Sequence, residues 1–137
     1  MRTPTEILAE TRTIALVGAS PRPERPSNGV MRYLLAQGYD VIPVRPAGCD
    51  EVLGVPCVRT LAEIDRPIDL VDVFRRADAT PAHAEEAAAV GAGALWLQLG
   101  LVSEESRRIA AEAGMDYVED LCTAVVHRYE LREPQAG

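Results

Sequence analysis

Short apolar runs alternate with helix-forming segments along the whole chain. Thr13 to Gly18 (TIALVG) and Asp69 to Phe74 (DLVDVF) are nearly continuous in apolar character, as strands buried on both faces should be. Asp40 to Val44, Ala94 to Leu99 and Asp116 to Glu119 read as three further strands. Thr3 to Glu10 predicts a short leading helix, and Asn28 to Gln37 a second, closed by Gly38 at the C′ position. Thr80-Pro81 offers an N-cap and a first-turn proline for a helix ending at Gly91. Ser103 caps a helix that stops at Gly114, and a final helical segment runs from about Cys122 to Leu131. A short extended piece around Pro56 to Val58 precedes a helical turn, where Thr60 and Glu63 have the spacing of a capping box.

Five strands alternating with helices predict right-handed crossovers and an α/β, Rossmann-like fold: a doubly wound parallel sheet of about five strands in three layers. The 137 residues suit a single domain over 1–137. Ligands of such sheets lie beyond the carboxyl ends of the strands, where strand order reverses. The segments to search are therefore 18–28, 45–48, 75–80 and 100–103.

Composition narrows the chemistry. A net charge of −7 argues against a general partner role for nucleic acid or an anionic membrane. All 14 basic residues are Arg, which excludes lysine Schiff-base chemistry and a Walker-type phosphate loop. Cys49, Cys57 and Cys122 show no CxxC spacing and an odd count, so neither a disulfide framework nor a zinc site is expected, and no metal is assigned. No stretch has membrane-spanning length, and the charged segment from Met1 to Arg12 does not read as a signal peptide. A cytoplasmic protein is the expectation.

The first strand feeds Gly18-Ala19-Ser20 and an Arg- and Pro-rich loop ending at Ser27-Asn28-Gly29. A tight turn at Gly18, the N–H groups and positive dipole end of the following helix, and the hydroxyls of Ser20 and Ser27 suit a pyrophosphate. The loop is not GxGxxG, and Arg45-Pro46 stands where an acidic residue would grip a ribose 2′-hydroxyl. That pattern favours a ligand with an extra phosphate, such as NADP or coenzyme A, over NAD. Arg22, Arg25, Arg45 and Arg75 all fall on ligand-end loops of an acidic chain, an arrangement for binding anions.

These same stretches resemble the small stand-alone coenzyme A-binding domain family, related to the coenzyme A-binding domain of the succinyl-CoA synthetase alpha subunit. The similarity is carried by Ile14 to Ser20, Arg25-Pro26-Ser27 with Gly29-Val30, Gly38-Tyr39, and Val41 to Val44. It continues through Asp69 to Arg75 and Trp96 to Gly100, and closes with Cys122 and His127. Two positions depart from the family: Arg45 stands where Asn is usual before the proline, and Ala124 where Lys is usual after the cysteine.

The resemblance implies that an ADP moiety lies over Gly18, Ala19 and Ser20, with Arg25 and Ser27 near its phosphates. Val44, Arg45 and Pro46 would flank the adenosine and Phe74-Arg75 would border the cleft, while the pantetheine arm would run toward Gly100. Arg22 joins this set from the loop pattern. The implied cofactor is coenzyme A or an acyl-CoA, held by a binding module that acts as carrier, sensor or partner subunit, with a protein partner or homo-oligomer allowed. An NADP-binding oxidoreductase and a degenerate nucleotide-binding interaction protein are the competing readings.

No catalytic residue is assigned. Cys122 and His127 are five residues apart, about 140° around a helix, which disfavours a thiolate–imidazole pair. His83 reads as a solvated helical residue, and adjacent Glu85 and Glu86 point to different sides. Gln98, near the end of an apolar strand, must find partners for a buried amide, along the pantetheine path or among neighbouring backbone. The chain has no room for the second domain and the beta subunit that carry the synthetase's chemistry, so the resemblance transfers ligand binding alone.

Overall fold

The apolar runs pair side by side in a computed structural model that describes residues 1–131. Strands β1 (Thr13–Val17), β2 (Asp40–Val44), β5 (Leu70–Val73), β6 (Ala94–Leu97) and β7 (Asp116–Val118) form one parallel sheet in the order β2-β1-β5-β6-β7. The order in which strands are added therefore reverses between β1 and β5. This is the expected doubly wound α/β architecture.

Alternation along the strands divides the core. Ile14, Leu16, Leu70 and Trp96 face helices α1 (Pro4–Glu10), α2 (Pro26–Ala36) and α5 (Thr123–Glu130), packing with Ile7, Leu8, Met31 and Leu34. Ala15, Val17, Val71, Val73, Leu95 and Leu97 face α3 (Thr80–Ala89) and α4 (Glu104–Glu112), with Ala84, Ala87 and Ile109. Both faces of the central strands are covered, which is why their sequences lack the polar alternation of a one-sided sheet. Pro43 is tolerated because β2 is an edge strand, and its carbonyl accepts from the Val58 N–H at 3.0 Å.

Local signals set most element ends. Thr3 and Glu6 form a capping box at α1, and the Ser103 hydroxyl accepts from the Ser106 N–H at α4. Two expected caps do not form. At Thr60 the Glu63 carboxylate accepts instead from the Arg59 N–H at 2.8 Å, and Glu86 of α3 accepts from the Leu61 N–H at 3.4 Å. A neighbouring helix thus serves the turn (Leu61–Glu63) that a local box was expected to serve. Thr80 is already inside α3, because a 3-10 turn over Ala77–Ala79 runs straight into it. The Thr80 hydroxyl donates back to the Ala77 carbonyl at 2.8 Å and bonds Ser106 at 2.9 Å, joining α3 to α4. Helix α2 begins at Pro26, two residues before the expected start, since proline is pre-organised for a first turn.

The interval after β2 departs furthest from expectation. Residues β3 (Glu51–Val52) and β4 (Val55–Pro56) form a small antiparallel hairpin, and Val58 continues beside Val44. The hairpin places Cys49 and Cys57 with Cα atoms 5.7 Å apart, and they form a disulfide. The expectation of no disulfide is thus overturned. Spacing rules look for short-range motifs, whereas this pair is brought together by strand pairing.

Candidate functional site

At the carboxyl ends of β1 and β5, where strand order reverses, lies a cleft of about 830 Å³. Its walls come from the loop after β1, the start of α2, the loop after β2, and the ends of β5 and β6. The turn out of β1 is fixed by Gly18, at φ +91°, whose N–H donates to the Val44 carbonyl at 2.9 Å. Asn28, buried in α2, donates from Nδ2 to the Ser20 carbonyl at 2.9 Å and so ties that loop to the helix. Ser20 Oγ accepts from the Arg22 N–H at 3.2 Å, which leaves the hydroxyl proton free to donate. Among the described residues no side chain caps the N-terminus of α2, whose first-turn donors and dipole face this loop.

Nine of the twelve residues singled out in the sequence line the cleft: Gly18, Ala19, Ser20, Arg22, Arg25, Ser27, Arg45, Phe74 and Arg75. The other three do not. Val44 is fully buried and contributes through its carbonyl, which accepts from both Gly18 and Ala19. Pro46 and Gly100 are exposed beside the lining residues, and the Gly100 N–H is taken by the Asp120 carboxylate at 2.7 Å. Pro26 and Val30 of α2 also line it, as do Ala47, Gln98, Leu99, Leu101 and Cys122.

The electrostatics are one-sided. Arg22, Arg25, Arg45 and Arg75 converge on one cleft, and among the described residues no carboxylate lines it and none of the four makes an ion pair. Elsewhere Arg2, Arg66, Arg107 and Arg108 are paired with Asp or Glu. In a chain of net charge −7, four unpaired guanidinium groups at one mouth make a local anion site.

Beneath the cleft lies a polar network that sequence reasoning missed. Asp72 of β5 is fully buried; its carboxylate accepts from Gln98 Nε2 at 2.5 Å and from the Thr123 hydroxyl at 2.9 Å. Burial pushes Asp72 up to about 7, against the pull of those two bonds. The partners of Gln98 are therefore side chains, not neighbouring backbone. A signal was present: an acidic residue inside an otherwise apolar strand must find donors.

Candidate nucleophiles and bases are separated. Cys122 lines the cleft, while His127 lines a different depression beside Tyr39 and bonds the Tyr33 hydroxyl at 2.9 Å. His83 is not solvated as expected: its side chain is only 12% exposed and lies 3.5 Å from Glu86. Burial lowers its pKa first, Glu86 raises it, and the nearby charge of Arg75 lowers it again. Among the described residues no group of three His, Cys, Asp or Glu is placed to hold a metal ion, and no helix is long and apolar enough to cross a membrane.

Comparison with known proteins bears on the family and the fold. The family described as "CoA binding domain" matches residues 12–128. The uncharacterised protein YneT of Bacillus subtilis (strain 168) is 46% identical over 122 residues, covering 89% of this chain and 90% of that one. A hypothetical protein from Pyrococcus horikoshii OT3 has a structure that superposes with a TM-score of 0.90 at 40% identity, covering 96% of this chain and 94% of the other. An acetyl-coenzyme A synthetase of Ca. Korarchaeum cryptofilum, in complex with phosphate and ADP, shares the fold at 24% identity and a TM-score of 0.73. The match covers 82% of this chain and 26% of the synthetase.

Proposed function

As this chain belongs to the CoA binding domain family, we propose that it holds coenzyme A or an acyl-CoA in the cleft between β1 and β5, as a binding module without catalysis of its own. The observation that carries this reading is the convergence of Arg22, Arg25, Arg45 and Arg75, unpaired among the described residues, on the cleft at the switch point. The pyrophosphate would lie over Gly18, Ala19 and Ser20, against the uncapped start of α2 at Ser27. Arg25 with Arg22 and Arg45 would hold the adenosine 3′-phosphate, and Arg75 the pyrophosphate. Pro46 and the Val44 backbone would flank the adenosine. The pantetheine arm would pass Phe74 and Gln98 toward Gly100.

The geometry supports binding without catalysis. Transfer of an acyl group through Cys122 needs a base at the thiol, and His127 is engaged with Tyr33 outside the cleft. A carrier, a sensor or a partner subunit in the cytoplasm would each need only binding and release.

Native mass spectrometry of freshly purified protein is expected to retain a coenzyme A mass. Calorimetric titration is expected to rank coenzyme A above NADP and NAD. Tighter binding of NADP would overturn the reading in favour of an oxidoreductase, and thiol release from acyl-CoA that is lost in Cys122→Ser would overturn the non-catalytic part.

A further inference from the structure

One wall of the cleft is largely apolar, formed by half-buried Phe74 and Leu101 with exposed Leu99, and buried Gln98 interrupts it. Gln98 is only 5% exposed, and both hydrogens of its amide are directed inward. Nε2 donates to Asp72 Oδ1 at 2.5 Å and to Thr123 Oγ1 at 2.9 Å. The Thr123 hydroxyl donates in turn to Asp72 Oδ2 at 2.9 Å. With its one proton committed to Asp72, that hydroxyl can only accept from Gln98. With Asp72 ionised, both inward partners therefore demand the NH₂ end of the amide, and the carbonyl oxygen is turned the other way.

That oxygen makes no hydrogen bond within the described protein. Among the described residues no fully enclosed side-chain polar atom lacks a partner, so the oxygen is open to space, and Gln98 lines the cleft. The arrangement is costly to build, since it keeps a carboxylate entirely out of water. Its effect is to fix which end of one amide faces the ligand.

We infer that Gln98 is a specificity-determining hydrogen-bond acceptor for a secondary-amide N–H on the ligand's arm, with Asp72 and Thr123 as the positioning residues that aim its carbonyl oxygen. The assignment rests on the coenzyme A reading above and deepens it. Apolar walls suit the methylene and methyl groups of a pantetheine arm, and one fixed acceptor sets the arm's register through an amide. An arm offering an oxygen at that point would set lone pair against lone pair, with the rejection expected of a site built for a hydrogen bond.

The test is calorimetric titration of the wild-type chain with coenzyme A and with two analogues, each having one pantetheine amide N–H replaced by an ester oxygen. One analogue is expected to bind about tenfold more weakly than coenzyme A. In Gln98→Leu that difference should vanish, while adenosine 3′,5′-bisphosphate, which lacks the arm, binds as it does to wild type. Should Gln98→Leu fail to fold because Asp72 is orphaned, Asp72→Leu combined with Gln98→Leu removes both partners and is read the same way. If coenzyme A binds and both ester analogues match it, the Gln98 assignment falls and the coenzyme A reading stands. A folded chain lacking Gln98 that still discriminates overturns the assignment equally. If coenzyme A itself does not bind, the coenzyme A reading fails and the assignment fails with it.

Discussion

A Cβ placed on Gly18 would stand 2.3 Å from the carbonyl oxygen of Phe74 and 2.8 Å from its carbonyl carbon. The two residues leave the carboxyl ends of adjacent strands, and the Phe74 N–H donates to the Val17 carbonyl at 2.7 Å. The sheet therefore closes at the point where the cleft opens, with no room for a side chain between.

Gly18→Ala should destabilise the protein by about 3 kcal/mol, through both the backbone clash and the cost of a positive φ for alanine. Urea denaturation measures it. A change below about 1 kcal/mol would show that β1 and β5 can separate there without penalty.

The arginines at the cleft mouth should read the ligand's 3′-phosphate. Coenzyme A is expected to bind roughly three- to tenfold more tightly than dephospho-coenzyme A, because charge-assisted bonds at an exposed site keep only part of their strength. Arg25→Ala should shrink the gap, and so should added salt. Equal binding of the two ligands to wild type would remove Arg22, Arg25 and Arg45 from that role.

Asp72 should make stability fall as pH rises. Its folded pKa of about 7 lies above the ordinary value of 3.8, so the folded chain binds more protons between those limits. Stability from this group is thus complete below about pH 4 and is lost as pH rises through 7, by on the order of 4 kcal/mol. His83, with a lowered pKa, acts in the opposite sense near neutrality. The difference between wild type and Asp72→Asn isolates the carboxyl group. Urea midpoints at pH 5 and pH 8 should diverge more in wild type than in the variant, and identical profiles would contradict the assignment.

Removing the disulfide with Cys49→Ser and Cys57→Ser should cost about 2.5 kcal/mol, the chain-entropy value for closing a loop between residues separated by 8 positions. A dithiol reductant should lower the wild-type urea midpoint to that of the double variant and leave the double variant unchanged. A wild-type midpoint insensitive to reductant would mean that the hairpin holds its geometry without the bond.

The amino-acid sequence determined the order of the five main strands and their helices and the sheet class, because both rest on local periodicity: apolar runs too continuous for a one-sided sheet, separated by segments with helix caps. It also placed most of the cleft, since in a doubly wound sheet the ligand end follows from which loops leave the strand carboxyl ends. Gly18, Ser20, Arg25 and Arg75 were found by that rule. The tertiary structure alone decided the pairings between distant positions. Whether Glu63 or Glu86 serves the turn after Thr60, and whether Cys49 meets Cys57, depends on what packs against what. The same holds for Asp72 on β5, Gln98 just past the end of β6 and Thr123 at the start of α5, which meet only because those elements are packed together. A local pattern can show that a buried carboxylate needs donors. Only the packed chain, which brings residues 26 and 51 positions apart within hydrogen-bonding distance, supplies them.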